Sequence, residues 1–519
     1  MTDHKKNTGS FYTPLAIASK MVLRIKSFLQ SGDSILEPSV GDGIFISEIS
    51  NLNKKIKLTA LDINSKELHK AKSKSTISYA RFKKLDYLEF TTSKKFDLII
   101  GNPPYIKKSR LSEAQLNKCH AINDENNLPN SCVKNLWITF LLKSISLLKK
   151  DGIISFVLPS DLLQHKYSKH ILTHIQSNFD RIEIITFDSL LFEAKGQDTI
   201  ILTAFKKHKE KGIFFSKDDK KVKDKTAEFS TNPSLVKADI KWTHHFLLSD
   251  EIEFLSKLVK GIPLLRDISD SKPGIVTAAN KYFIVDKKTE EDFNLANYTH
   301  GIIQKGVFVN GKLSFTEKDF KELEHNEKPT RLISVKPQSR LNLGLKNYLE
   351  IGVKEKIDKR YKCSKRDKWY IIPNVGVKSN ILFFKRSHLY PKLLINEANV
   401  YVTDSAYCIT PKKSYTEKNI VYSFYNSLTL LFAELNGRYY GGGVLELTPS
   451  EFKSLPIPYT KLKSSEFNKF KTAFKNKNSI DEILKKNDAK VLCKINLNKD
   501  EIRKIQAIKT KLVKKRLRI

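Results

Sequence analysis

A chain of 519 residues with 40% hydrophobic and 10% aromatic side chains has a globular composition and is too long for one ordinary hydrophobic core. Lysine and arginine outnumber aspartate and glutamate by 92 to 56, and the net charge of +36 exceeds what solubility needs, so a polyanionic partner is expected, nucleic acid before membrane. No apolar run reaches the roughly eighteen residues of a membrane helix, Met1-Thr2-Asp3-His4-Lys5-Lys6 leads into no signal-peptide core, and the five cysteines (Cys119, Cys132, Cys363, Cys408, Cys493) have no Cys-x-x-Cys spacing; the expectation is a soluble cytoplasmic protein with free thiols, no disulfide framework and no metal site.

Residues 8–14, Thr-Gly-Ser-Phe-Tyr-Thr-Pro, lead into a helical pattern over 15–29, with Thr13 as N-cap and Pro14 at the first helical position. Amides at such a start can receive a carboxylate. Next, Ser34-Ile-Leu-Glu-Pro-Ser-Val-Gly-Asp-Gly-Ile-Phe45 reads as strand, glycine turn and helix, the first βα unit of a doubly wound sheet, where Gly41 and Gly43 let the backbone approach a ligand. A nicotinamide-type fingerprint wants a third glycine where Ile46 stands and has no use for Glu37 at the strand end, so a dinucleotide is disfavoured. A second strand, 58–63, ends in Asp62-Ile63, at the spacing where this fold sets a carboxylate against ribose hydroxyls; the same aspartate also suits a plain turn. After Lys84-Leu85, Asp86 can accept from an adenine amino group, with Tyr87 beside it.

The apolar strand Phe96-Asp-Leu-Ile-Ile-Gly101 then runs into Asn102-Pro103-Pro104-Tyr105. The two prolines fix their own φ and bias the residues before them away from the helical region, giving a stiff turn with an amide oxygen, a carbonyl free of helix duty and an aromatic face. Such a turn can hold a planar amino group and stack on its ring.

In this order and spacing, Thr13-Pro14, Glu37-x-x-x-Gly41-x-Gly43, Asp62, Asp86 and Asn102-Pro-Pro-Tyr105 resemble the S-adenosylmethionine-dependent DNA adenine-N6 methyltransferases of the gamma, TaqI-like class. The resemblance continues through a helix from Asn135 to about Leu148, a turn at Lys150-Asp151-Gly152, a strand over 153–158, and a closing strand pair at 181–187 and 199–205. It implies that Glu37 meets the methionine amino group of S-adenosylmethionine and Thr13 its carboxylate. Asp62, with Ile63, would serve the ribose and Asp86, with Tyr87, the adenine. Asn102 and the Pro103 carbonyl would accept both hydrogens of the target amino group. That group lies inside the duplex, so the base must be flipped out, with Tyr105 and Phe192 as stacking candidates; Phe192 also reads as a core residue. The polar stretch 106–132 is expected to form a mobile loop over the base.

Lysine density over 206–225, broken by Gly212-Ile-Phe-Phe215, marks a domain junction carrying a small strand. Short strands are expected at 274–280, 282–285, 369–373, 381–384 and 401–402, and one amphipathic helix over 419–435. This half resembles, more loosely, the target-recognition domain of the same class. Base-reading candidates include Lys281, Arg331, Lys336, Gln338, Arg340 and Arg438. Residues 461–519 read as a basic helical tail, with Ile502, Ile505, Ile508 and Leu512 in one stripe that Arg516 breaks, leaving a solvated face and a frayed end.

The expected fold class is therefore α/β: a doubly wound Rossmann-like methyltransferase sheet over 1–240, a mixed α+β recognition domain over 241–460 and the tail over 461–519. Double-stranded DNA is the expected partner of a monomeric enzyme, with any cognate restriction endonuclease encoded separately. Three alternatives stand beside this reading. A cytosine-N4 methyltransferase usually has serine where Asn102 stands, a release-factor glutamine methyltransferase would not need the long basic second half, and an inactive specificity module would not need the full set of acceptors and aromatics. If the positive charge serves duplex binding, DNA affinity will fall with salt at a log-log slope of about −0.9 per phosphate neutralised, and a flat salt titration would remove that role.

Overall fold

The computed structural model describes residues 12–164, 167–187, 198–218, 230–231, 247–376, 378–440, 442–475 and 479–519. The chain divides into two compact units, one built on Met1–Phe254 and the other on Leu255–Tyr439 with Gly443–Leu517.

The first unit opens with helix α1 (Leu15–Ile25) and then alternates β1 (Ser34–Glu37), α2 (Ile44–Ser50), β2 (Lys57–Asp62), α3 (Ser65–Ser73), β3 (Tyr79–Lys84) and β4 (Phe96–Gly101). Helices α4 (Glu113–Glu125) and α5 (Leu136–Leu147) precede β5 (Leu148–Pro159), and α6 (Ser168–Asn178) precedes β6 (Arg181–Phe187), β7 (Thr199–Phe205), β8 (Gly212–Asp218) and β9 (Ser230–Thr231). Among the described residues these strands form one nine-stranded sheet in the order β3-β2-β1-β4-β5-β7-β6-β8-β9. Strands β1 to β5 pair in parallel, β7 runs antiparallel between β5 and β6, and β8 runs parallel to β6. From β1 the chain winds outward through β2 to β3 and returns to β4 on the other side, so a topological switch point lies between β1 and β4. The central strands are almost continuously apolar and buried because both faces are covered, whereas edge strand β3 exposes Tyr79 and the cations Arg81, Lys83 and Lys84, charges that discourage further pairing.

Five local expectations change. Thr13 does not cap α1: Pro14 occupies the N-cap position and its carbonyl accepts from the amides of Ile17 and Ala18. The α-helix stops at Ile25 and finishes as a 3-10 turn, Lys26–Phe28. Lys150-Asp151-Gly152 lies inside β5 and not in a turn, because the register against β4 shifts between Phe96 and Leu98 and the strand needs Gly152 there; a Cβ would stand 3.0 Å from the Phe96 carbonyl oxygen. The stretch 106–132 is not one long loop, since α4 occupies its centre behind a capping box of Ser112 and Gln115. The small strand at 212–215 extends to Asp218 and belongs to the main sheet.

In the second unit a five-stranded sheet runs β10 (Ser269–Pro273), β18 (Ala406–Pro411), β15 (Ile381–Phe384), β16 (Lys392–Asn396), β13 (Ser314–Phe315). A four-stranded sheet runs β11 (Ile284–Val285), β14 (Arg331–Ile333), β12 (Thr299–Ile303), β17 (Tyr401–Val402). The expected strand at 274–280 is reduced to a bridge from Ile275 to Thr403, because the Thr277 hydroxyl engages Asn280 and the Ala279 amide and the chain turns into a short helix, Asn280–Phe283. Residues 369–373 form turns, and the Trp369 ring packs on Tyr282 and Phe283. The single helix expected over 419–435 is two, Glu417–Phe424 and Ser427–Asn436, because Asn426 caps the second through the Thr429 amide.

The C-terminal helix Lys499–Leu517 buries Ile502, Ile505, Ile508 and Leu512 as its stripe requires, but Arg516 continues the stripe and its side chain is 0% exposed. The guanidinium forms a two-pronged pair with Glu434 at 2.8 Å on both sides and also donates to the carbonyls of His388 and Gly443. The end of the tail is therefore anchored in the second unit, not frayed. Arg516→Ala strands the buried Glu434 carboxylate, so urea unfolding should report a loss of about 3–5 kcal/mol, much of it recovered when Glu434→Leu is added.

Candidate cofactor and base site

The C-terminal ends of β1, β2 and β4 and the segment entering α1 surround a cleft lined by Tyr12, Thr13, Ser39, Val40, Gly41, Asp42, Ile44, Phe45, Asp62, Asn102 and Pro104. Of the residues singled out in the sequence, Thr13, Gly41, Asp62, Asn102 and Pro104 are brought together there. Tyr12, Ser39, Val40, Asp42, Ile44 and Phe45 were missed, although five of them sit in or beside the same glycine turn.

Each lining group has a local reason for its position. The stiff turn after β4 is stitched to the β1 turn by the Ser39 hydroxyl, which donates to the Asn102 carbonyl at 3.1 Å. It is also tied to the α1 entry, where the Asn102 side-chain N–H donates to the Thr13 hydroxyl at 3.2 Å. Asp62 spans the next gap: its carboxylate accepts from the Gly41 amide at 2.9 Å and the Asn64 amide at 2.7 Å. Burial still pushes the Asp62 carboxyl above its usual range, against the lowering effect of those amides. Gly41 has φ +54 and faces the Tyr12 ring, while Gly43, at φ +81, is required by packing, because a Cβ there would lie 2.6 Å from the Ala71 Cα on α3. Ile63 is exposed just beyond Asp62.

Glu37, at the end of β1, is 0% exposed, and neither carboxylate oxygen has a hydrogen-bond partner among the described residues. A Cβ on Gly101 would sit 3.7 Å from its Cγ, so the carboxylate lies beside the end of β4. Burial drives its pKa well above 4.5, with Asp62 and Asp42 adding repulsion. To ionise, such a buried acid needs a cation or hydrogen-bond donors brought to it.

Several candidates sit differently from a ligand-facing role. The Tyr87 ring is turned into the core against Phe140, with its hydroxyl on Ser144 at 2.9 Å, so only its backbone borders the Asp86 turn. Pro103 is buried. Tyr105 is 8% exposed, and its hydroxyl donates to the Val157 carbonyl of β5 at 3.0 Å, so its ring does not line the cleft as an open platform. Asp86 lies at the same sheet edge, one residue after Leu85, whose amide donates to the Asp62 carbonyl, but outside the cleft lining. Pro14 flanks the cleft at the α1 N-cap. Phe192 lies outside the described residues. In the second unit, Arg331 pairs with Glu324 and Arg438 with Glu451, which assigns both to structure, whereas Lys336, Gln338 and Arg340 are exposed. Among the described residues no helix is long and apolar enough to cross a membrane.

Residues 16–192 match the family of the Eco57I restriction-modification methylase, and residues 239–492 match the C-terminal domain of the Type II methyltransferase M.Eco57I. Over 478 residues the chain is 27% identical to the Type II methyltransferase M.AccI of Acinetobacter calcoaceticus, covering 86% of this chain and 85% of that one. In fold it resembles the Type IIL restriction-modification enzyme MmeI, solved in complex with DNA, with TM-score 0.57 and 12% identity over 99% of this chain and 77% of that one. It also resembles DrdV, solved with DNA, with TM-score 0.54 and 13% identity over 91% and 57% of the two chains. The chain belongs to the Type II restriction-modification methyltransferases, and S-adenosylmethionine is its cofactor.

The donor set fits that cofactor: an unpartnered buried carboxylate for an ammonium group, a strand-end Asp62 for hydroxyls, and a cleft open beside Asn102. Glu37 also makes the cofactor-free protein pH-sensitive. Its pKa is higher folded than unfolded, so the stability tied to its protonated form is complete below about pH 4.5 and is lost as pH rises toward the folded-state value. Glu37→Gln removes that loss; without cofactor its melting temperature should exceed the parent's by a margin that grows from about pH 5 upward and vanishes in acid. Equal margins at all pH values would show that the carboxyl does not titrate between the two states.

Proposed function

We propose that this enzyme methylates the exocyclic N6 amino group of an adenine flipped out of duplex DNA, as the modification component of a restriction-modification system. The observation that carries the reading is the location of Asn102 and Pro104, in the turn that follows β4, across the switch point from Glu37 and in the same cleft as Thr13 and Asp62. The cofactor supplies an electrophilic methyl group on a sulfonium. Glu37 receives the methionine ammonium, Thr13 and the α1 entry, with Pro14, receive its carboxylate, Asp62 and Ile63 hold the ribose, and Asp86 accepts from the adenine.

Chemically, an exocyclic adenine nitrogen is a poor nucleophile because its lone pair is conjugated into the ring. The Asn102 side-chain oxygen and the Pro103 carbonyl accept its two N–H bonds, which draws the nitrogen toward tetrahedral geometry and releases the lone pair. The new nitrogen–carbon bond would form as the methyl group's bond to sulfur breaks, and the nitrogen's surplus proton would leave to water afterwards, so no general base is needed at that moment, and positioning and electrostatics carry the rate. The tethers from Thr13 and Ser39 to Asn102 supply the preorganisation this requires. Tyr105 and Phe192 stack on the flipped base, which asks the Tyr105 ring face to become reachable on DNA binding. Catalysis resides in 1–240 and target recognition in 241–460, where Lys281, Lys336, Gln338 and Arg340 remain base-reading candidates. The tail over 461–519 braces the recognition unit. The enzyme acts as a monomer, with any endonuclease on another chain.

Asn102→Ala should leave cofactor and DNA affinity near the parent's and lower single-turnover methyl transfer by about two to three orders of magnitude. A near-parental rate would remove Asn102 from catalysis. Modified-base sequencing of DNA from expressing cells distinguishes N6-methyladenine from N4-methylcytosine, and the latter would overturn the choice of base.

A further inference from the structure

The turn carrying Asp86 is held from outside as well as within. Asp86 Oδ1 accepts from the Leu88 amide at 2.9 Å, and Oδ2 accepts from the side-chain N–H of Gln115 at 3.3 Å. Lys143 donates to the carbonyls of Tyr87 and Leu88 at 2.7 and 3.0 Å, and Lys118 of α4 pairs with Glu89 at 2.6 Å. Among the described residues Gln115 is the one group from beyond the turn that hydrogen-bonds to the carboxylate itself. Its other amide atom, Oε1, accepts from the Ser112 backbone N–H at 3.3 Å in the capping box of α4. One end of this planar amide is thus fixed by the helix start and the other by Asp86.

A carboxylate bonded only through Oδ1 to its own turn can still rotate about its C–C bond, whereas a second donor on Oδ2 sets its plane and leaves one lone pair of each oxygen to point elsewhere. We propose that Gln115 is a positioning residue: it orients the Asp86 carboxylate to accept from the adenine amino group of the cofactor, and so makes α4 a wall of the cofactor site. This rests on the reading of Asp86 as the adenine acceptor. It also gives the 106–132 segment a role at the cofactor end of the site, on the stretch that directly follows the Asn102 turn.

Calorimetry on the full chain with two ligands tests this, S-adenosylhomocysteine and the same molecule with hydrogen in place of the adenine 6-amino group. The parent should prefer the amino form by about tenfold, the worth of one hydrogen bond to a charged group. In Gln115→Met, which keeps length and helix propensity, the preference should fall to about twofold or less. Gln115→Ala, which adds no volume, should read the same way if the methionine variant folds poorly. Ser112→Ala removes the cap but not the contact with Asp86 and should keep the parental preference. Retention of the full preference in the Gln115 variants overturns the inference while leaving Asp86 as acceptor. Its collapse in Ser112→Ala also overturns the inference, because helix capping would then account for the effect. A parent without any preference overturns the reading of Asp86 itself.

Discussion

The parallel register of β1 against β4, with Ile35 opposite Leu98 and Leu36 opposite Ile99, is the constraint on which the site depends. It ends the two strands side by side and places the Glu37 carboxylate beside Gly101, the residue before Asn102. Both strands are covered on both faces, so nothing in their environment solvates Glu37, and the acid is left buried without a donor. Leaving such a group unmatched costs the folded chain several kcal/mol in typical cases. In the proposed function that deficit is made good by a cationic ligand, so affinity and instability share one residue.

Around this pair the cleft is held by short side chains, two of them bonded to backbone groups and one to another side chain. Asp62 holds the glycine turn, Ser39 holds the Asn102 carbonyl, and Thr13 takes the Asn102 amide, so four chain segments far apart in sequence are fixed to one another by three hydrogen bonds. Loss of the Ser39 or the Thr13 bond loosens the stiff Asn102 turn, and loss of the Asp62 bond loosens the glycine turn beside it. The arrangement explains why Gly43 and Gly41 are both glycine for different reasons, the first to let α3 approach and the second to form the turn under Tyr12.

The second unit relies on a different device. Buried polar groups, such as Asn426 at the break between two helices and Arg516 against Glu434, decide where helices stop and how the C-terminal helix seats. Each is fully engaged, which is the condition under which buried polar groups specify a single packing. The charge of the chain is thus partly internal, because Arg331, Arg438 and Arg516 are committed to carboxylates in this unit.

Local chemistry made the first half legible from the sequence. Strand-ending runs closed by Glu37, Asp62 and Gly101-Asn102 have a period and a set of turn residues that hardly depend on context, and these strands formed within a residue or two of expectation. The ordered motif set likewise brought Thr13, Gly41, Asp62 and Asn102 to one cleft. Side-chain direction was not legible. Tyr87 and Tyr105 carry rings that a ligand or a core can equally use, and only the packing of α5 and β5 turned them inward. Nor could the sequence tell that 106–132 holds a helix tied to Asp86, that 369–373 lacks a partner strand, or that Arg516 is an anchor. A strand needs a neighbour and a buried charge needs a counter-charge, and both come from residues distant along the chain that only the tertiary structure brings within reach.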